Sequence, residues 1–145
     1  MSSTQPTIVD IYCRVADGGP DAQTKLEQQE IACRDYCQEH GLSVGMAHYE
    51  VASGSTYRNR ELLSLLRTRY HSGSIQGVVI TRLERLSRSH AHLIILMQEM
   101  EAHHAVLHVV DENIVDLKFI RTMVAIITDV EREKALNPSL TERAL

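Results

Sequence analysis

Thr7-Ile8-Val9-Asp10-Ile11-Tyr12-Cys13-Arg14-Val15 is the stretch on which the fold turns. It is rich in β-branched and aromatic residues, the composition of a strand. Asp17-Gly18-Gly19-Pro20-Asp21 follows and breaks it. Thr24-Lys25-Leu26-Glu27 then has the form of a capping box, with Thr24 as N-cap and Glu27 reaching back. Leu26, Cys33 and Cys37, with Ala32 and Tyr36, recur at helical spacing as far as His40. Gly41 stands where a helix C-cap belongs.

The same alternation continues outward. Leu42 to Val51 reads as a second strand, and Ser53-Gly54-Ser55-Thr56 as a loop. Asn59 to His71 places Leu62, Leu63, Leu66 and Tyr70 on one side of a helix ending near Gly73. Val78-Val79-Ile80-Thr81 is a short buried strand, and His90 to His103 a helix carrying Leu93, Ile94, Met97 and Met100. Ala105 to Val110 is a fourth strand. Val115 to Leu136 is a long helix, stopped by Asn137-Pro138. Strands alternating with helices predict a single-domain α/β fold: a mostly parallel sheet, helices on both faces and a long C-terminal helix. Residues 1–136 form the expected domain and 137–145 a tail.

Composition agrees with one folded domain. The chain has 145 residues, 43% hydrophobic and 23% charged, which excludes a disordered polymer. No apolar run approaches a membrane span, and the N-terminus lacks the pattern of a signal peptide. Three cysteines without paired spacing argue against a disulfide framework and for a cytoplasmic location. With 4% aromatic residues, stacking platforms for single-stranded nucleic acid are not expected.

Charge is unevenly spread. The net charge is −4, yet residues 55–90 hold seven Arg (58, 60, 67, 69, 82, 85 and 88) against Glu61 and Glu84. That segment is therefore +5 and the remainder −9. Arginine is the residue whose planar fork matches phosphate oxygens. In parallel sheets the site lies outside the carboxyl ends of the strands. Those ends fall at Arg14–Ala16, Glu50–Gly54 and Arg82–Arg88, so the arginines and the carboxylates Glu50 and Glu84 are expected to meet at one edge.

Three blocks now coincide in order: Tyr12-Cys13-Arg14-Val15 with Leu26-Glu27-Gln28-Gln29, then Glu50-Val51-Ala52-Ser53-Gly54, then Leu83-Glu84-Arg85-Leu86-Ser87-Arg88. With Glu131-Arg132 on the last helix, the chain resembles the catalytic domain of the serine site-specific recombinases, the resolvase, invertase and large serine integrase superfamily. The resemblance spans residues 8–136, and its third block is the specific one. It implies DNA strand cleavage and exchange through a 5′-phosphoserine intermediate, with a free 3′-hydroxyl and no metal or other cofactor. It also implies double-stranded DNA as partner, contacted through its phosphates. Several arginines would hold the pentacoordinate phosphate and its added charge.

By the same resemblance, Arg14, Arg85 and Arg88 occupy the central phosphate-binding positions. Arg69 falls where the family has a basic residue on its second helix. Ser53 and Gln29 match polar site positions, and Glu50 and Glu84 replace family aspartates. A further arginine is implied after the Ser-Gly turn; strict counting lands on Asn59, which leaves Arg60 or Arg58, with Arg60 preferred. Arg132 is placed near the DNA backbone or a partner's active site.

Two departures matter. Ala16 stands at the nucleophile position, and alanine has no hydroxyl with which to form the covalent intermediate. Asp17 and the Gly18-Gly19-Pro20 loop also depart from the family pattern, which favours a natural departure over a single engineered change; rescue by Ser53 or Ser55 would need a different geometry. Family members continue after the long helix into a DNA-binding domain, and here that domain is expected to be absent. The reading is therefore a recombinase-type domain inactive as written. The alternative is a non-catalytic relative that binds DNA phosphates or dimerises in a regulatory role. A nucleotide-binding reading of the Asp17-Gly18-Gly19 loop is weak, because no Gly-rich phosphate motif is present and Pro20 removes a donor.

The remaining features have plainer readings. His90, His92, His103, His104 and His108 cluster in sequence but share no metal-ligand spacing. Cys13, Cys33 and Cys37 read as buried small hydrophobes. Leu117, Ile120, Val124, Ile127 and Glu131 follow a 3-4-3-4 spacing, which fits either packing on the chain's own sheet or pairing with another subunit. The family's use of this helix tips the expectation to a homodimer or higher oligomer.

Overall fold

The computed structural model describes residues 6–53, 60–111 and 114–136, with side chains from 118 onward in the last segment. Ile8–Val15 forms β1, Ala22–Glu39 α1, Ser43–Val51 β2 and Glu61–His71 α2. Gly77–Ile80 forms β3, His90–Ala102 α3, Val106–Val109 β4 and Ile114–Leu136 α4; a single turn of 3-10 helix, Leu83–Arg85, follows β3. The four strands make one parallel sheet in the order β2-β1-β3-β4. Among the described residues, no helix is long and apolar enough to cross a membrane.

The period of two along β1 decides the layers. Val9, Ile11, Cys13 and Val15 point to one face and pack with Leu26, Cys33 and Cys37 of α1. Tyr12 points to the other face and joins Leu63 and Leu66 of α2, Leu96 and Met100 of α3, and Ile120 and Val124 of α4. All three cysteines are buried and free, as small apolar residues would be.

One boundary differs from the sequence reading. α1 begins at Ala22, with Asp21 at the N-cap position, and Thr24 lies inside the first turn without capping. The preceding loop starts the helix early: Asp17 Oδ1 accepts the Gly19 N–H, Gly19 O accepts the Ala22 N–H, and Asp21 O accepts the Lys25 N–H. The other end is as expected, with Gly41 at a φ of +66°, a conformation glycine adopts without penalty.

A second correction concerns α4. Ile120 and Val124 are 0% and 3% exposed, buried in the chain's own core, and Glu131 accepts a hydrogen bond from Gln98 of α3. The expected partner-facing stripe is thus largely used within the chain, and Ile127 is half-buried. Leu117 lies outside the described side chains. The exposed large apolar residues of α4 are Phe119, Ile126, Val130 and Leu136, and the first three share a neighbouring face.

Candidate active site

Arg14 is the last residue but one of β1, and it is 2% exposed. From β1 its guanidinium ties together the loops that follow β2 and β3. Nη1 donates to Ala52 O after β2 at 2.7 Å, Nη2 to Glu84 O at 2.6 Å and Nε to Arg85 O at 2.9 Å, both after β3. Arg85 answers with a hydrogen bond from Nη1 to Arg14 O. Burial, and then the charge of Arg60, pulls the Arg14 guanidinium below its usual pKa.

Gln29 explains how Arg14 is held. β1 is paired with β3 only over Val9, Asp10 and Ile11, so the backbone of Arg14 has no strand on that side. The buried Gln29 amide of α1 supplies both missing bonds: it accepts from Arg14 N–H and donates to Arg14 O, each at 3.0 Å. A side chain here does the work of a backbone ladder.

Glu50 is buried at the end of β2, opposite Arg14 in the register. It accepts from Tyr12 Oη at 2.8 Å and from the backbone N–H groups of Leu62 and Leu63. It therefore caps α2 from a neighbouring strand, since Arg60 at the N-cap position contributes no side-chain cap. Arg60 is 1% exposed and donates to Tyr12 Oη and Arg85 O. Burial pushes the Tyr12 phenol well above its usual range, so it stays a neutral donor to Glu50.

Above this buried layer lies an open cleft of about 400 Å³. Arg14, Arg85, Arg88 and Lys25 line it, together with Ala16 and Asp17. Ala16 and Arg88 are exposed. The cleft sits outside the carboxyl end of β1, where ligands of parallel sheets bind, and its cations outnumber its carboxylates.

The other expected site residues fall elsewhere. Ser53 is exposed after β2 and holds an interaction of its own. Glu84 contributes its carbonyl to Arg14 while its carboxylate is exposed beside Arg82. Arg60 is in the layer beneath the cleft, not on its wall. Arg58 and Ser55 lie outside the described residues. Arg132 is exposed and pairs with Asp129 on its own helix.

Arg69 is not brought to the cleft, which corrects the expectation that it joins the phosphate group. It grips Asp10 through Nε and Nη2. Asp10 lies four residues back along β1, roughly 13 Å at ~3.3 Å per residue. Asp10 is fully buried and also accepts from the Met46 N–H and from His48 Nε2. Burial alone would raise its pKa, but the His48, Arg69 and Met46 hydrogen bonds win and hold it below the usual carboxylate range. Gly45 permits this approach, since a Cβ there would meet Asp10 Oδ1 at 2.8 Å. The signal for this network was an aspartate in the middle of an apolar strand, which sequence reasoning passed over.

Among the described residues no group of three or more His, Cys, Asp or Glu is placed to hold a metal ion. His108 contacts Tyr36, and the His71 and His103 rings contact each other.

Comparison with known proteins gives the family and the fold. Residues 9–141 match the family described as Resolvase, N terminal domain. The chain belongs to that family. The fold is shared with the N-terminal catalytic domain of TP901-1 integrase (TM-score 0.71, 21% identity, 88% of this chain and 98% of that one). It is shared likewise with the C-terminal catalytic domain of ISC1926 TnpA, an IS607-like serine recombinase (TM-score 0.65, 24% identity, 85% and 82%). A resolvase family site-specific recombinase from Streptococcus pneumoniae matches at TM-score 0.66 and 16% identity over 96% of this chain and 99% of that one. No curated protein matches the sequence.

Proposed function

We propose that this chain is a serine-recombinase catalytic domain that holds a DNA phosphate and, as written, does not cut it. One observation carries the reading: Ala16 is an exposed residue on the wall of a cleft also lined by Arg14, Arg85, Arg88 and Lys25. A phosphodiester in that cleft meets Arg85 and Arg88 directly. Arg14 and Gln29 hold the loops in place, and Glu50 positions α2 behind them. The methyl of Ala16 offers no lone pair to phosphorus, so no phosphoserine forms and no 3′-hydroxyl is released.

Binding through phosphates is sequence-independent and weakens steeply with salt. The exposed apolar face of α4, Phe119, Ile126 and Val130, supports self-association, which would place two clefts on one duplex. The regulatory reading differs only in purpose: a silent subunit paired with an active one.

Covalent trapping tests the proposal. Ala16→Ser and the unmodified chain are each fused to the same heterologous DNA-binding domain and offered a nicked duplex. A protein–DNA adduct with the serine variant alone is expected. No adduct from either folded, DNA-binding protein would mean that the surrounding site has degenerated and the chain is a binding relative. An adduct with the unmodified chain would place the nucleophile elsewhere and overturn the assignment.

A further inference from the structure

A second crevice of about 400 Å³ adjoins the first and shares Val15, Lys25 and Arg85 with it. It lies where β1 and β3 part company. The chain leaves β1 for α1 and β2 on one side of the sheet, and leaves β3 for β4 on the other. Such a reversal of strand order opens a crevice at the carboxyl ends, the usual binding position in doubly wound sheets.

Two buried polar atoms here have no hydrogen-bond partner among the described residues: Thr81 Oγ1 and Arg85 Nε. Thr81 is 8% exposed and lines the crevice, and its backbone is pinned because its carbonyl accepts the Asp111 N–H at 2.8 Å. Arg85 is pinned by its bond to Arg14 O. Unpartnered buried polar atoms are uncommon in folded chains, and two on one crevice mark a place built for a ligand. Lys25, Arg82 and Arg85 stand around them, against the single carboxylate Asp111, which lies 3.6 Å from Arg82. The ligand must therefore be anionic. It must also accept several hydrogen bonds from different directions, which a tetrahedral phosphoryl group does.

We propose that this crevice binds a second phosphoryl group, received by the Thr81 hydroxyl, Arg85 and Arg82, with Lys25 bridging the two clefts. The inference rests on the reading that the first cleft takes a DNA phosphate. The second phosphoryl group comes either from the same DNA backbone or from a free phosphate anion.

The chain is titrated with inorganic phosphate, with sulfate in parallel, and separately with a short duplex, following backbone amides by NMR. Thr81→Val removes the hydroxyl at constant shape, Arg82→Gln removes an exposed charge, and Arg88→Gln alters the first cleft only. The expected result is that phosphate moves the amides of Thr81, Arg82 and Gln28, and that Thr81→Val and Arg82→Gln weaken this at least fivefold while Arg88→Gln does not. Loss of duplex affinity in the same two variants, with the salt slope falling by about one in Arg82→Gln, identifies the DNA backbone as the source. An effect on phosphate alone identifies a free anion. If neither ligand responds to Thr81→Val or Arg82→Gln, the second site is overturned. Duplex binding that still depends on Arg88 would then leave the first cleft standing, and binding indifferent to Arg88 would bring down that reading instead.

Discussion

The arginines at the carboxyl end of the sheet divide into two groups. Arg14 and Arg60 are buried, and their donors are largely spent on carbonyls and on Tyr12. Arg85 and Arg88 line the cleft, with Arg88 exposed. By motif they belong together. By environment they differ: the first pair is committed to assembling the loops, and the second pair faces the cleft. A guanidinium already committed to three carbonyls has few donors left for a phosphate, whereas its removal strands those carbonyls inside the protein.

This contrast can be broken most easily at Arg14. Arg14→Ala should destabilise the fold by about 3–5 kcal/mol, because it strands three carbonyls in the interior at about 1–3 kcal/mol each with partial relaxation. A shift in the urea midpoint at constant slope would report it; a variant as stable as the parent would show that the two loops are held otherwise. Glu50→Ala comes next. It removes the cap of α2 and the acceptor of Tyr12 together, with an expected loss of about 2 kcal/mol, measured the same way.

Arg88→Ala sharpens the comparison from the other side. Stability should stay within about 0.5 kcal/mol, as for an exposed substitution. Duplex affinity should fall several-fold and the salt slope should drop by about 0.9, the signature of one lost phosphate contact. A large stability loss with an unchanged salt slope would place Arg88 in the buried group.

On duplex binding the smallest effect is expected at Glu99, which lies outside both groups. Glu99 accepts from Arg67, Tyr70 and His71, and the Arg67 hydrogen bonds, foremost, hold its pKa down to about 2 from 4.5. A depressed carboxyl pKa stabilises the fold above the unfolded value and loses that contribution as pH falls through the folded one. Glu99→Gln should therefore flatten stability against pH between about 4.5 and about 2 without changing duplex binding at neutral pH. An unchanged acid limb would show that another carboxylate, with Asp10 the first to examine, governs it.

Much of the fold was legible in the sequence. β1 could be read from Thr7 to Val15 because a buried parallel strand is rich in β-branched residues, here Thr7, Ile8, Val9, Ile11 and Val15. The alternation with helices left few topologies. The start of α1 was misplaced because Thr24 and Glu27 satisfy a local capping pattern, while the actual start depends on a turn made by Asp17 and Gly19. The candidate site was legible as a set of residue types at strand ends. Its division of labour was not, because burial is a property of what lies overhead. Arg69 and Arg60 illustrate this: both are basic residues near the expected positions, and their partners, Asp10 and Tyr12, lie 59 and 48 residues away along the chain.

What the sequence by itself determined is the list of chemical possibilities. It put strands and helices in order, concentrated arginine in one segment, and set alanine at position 16, where no fold can supply a hydroxyl. What only the tertiary structure decided is which groups meet. Gln29 completes the hydrogen bonding of Arg14, Glu50 caps a helix it does not belong to, Ile120 and Val124 turn inward, and Thr81 lines a crevice. The reason is physical: bonding capacity resides in a residue, but its fate is set by distance and burial, and those depend on the packing of segments remote in sequence.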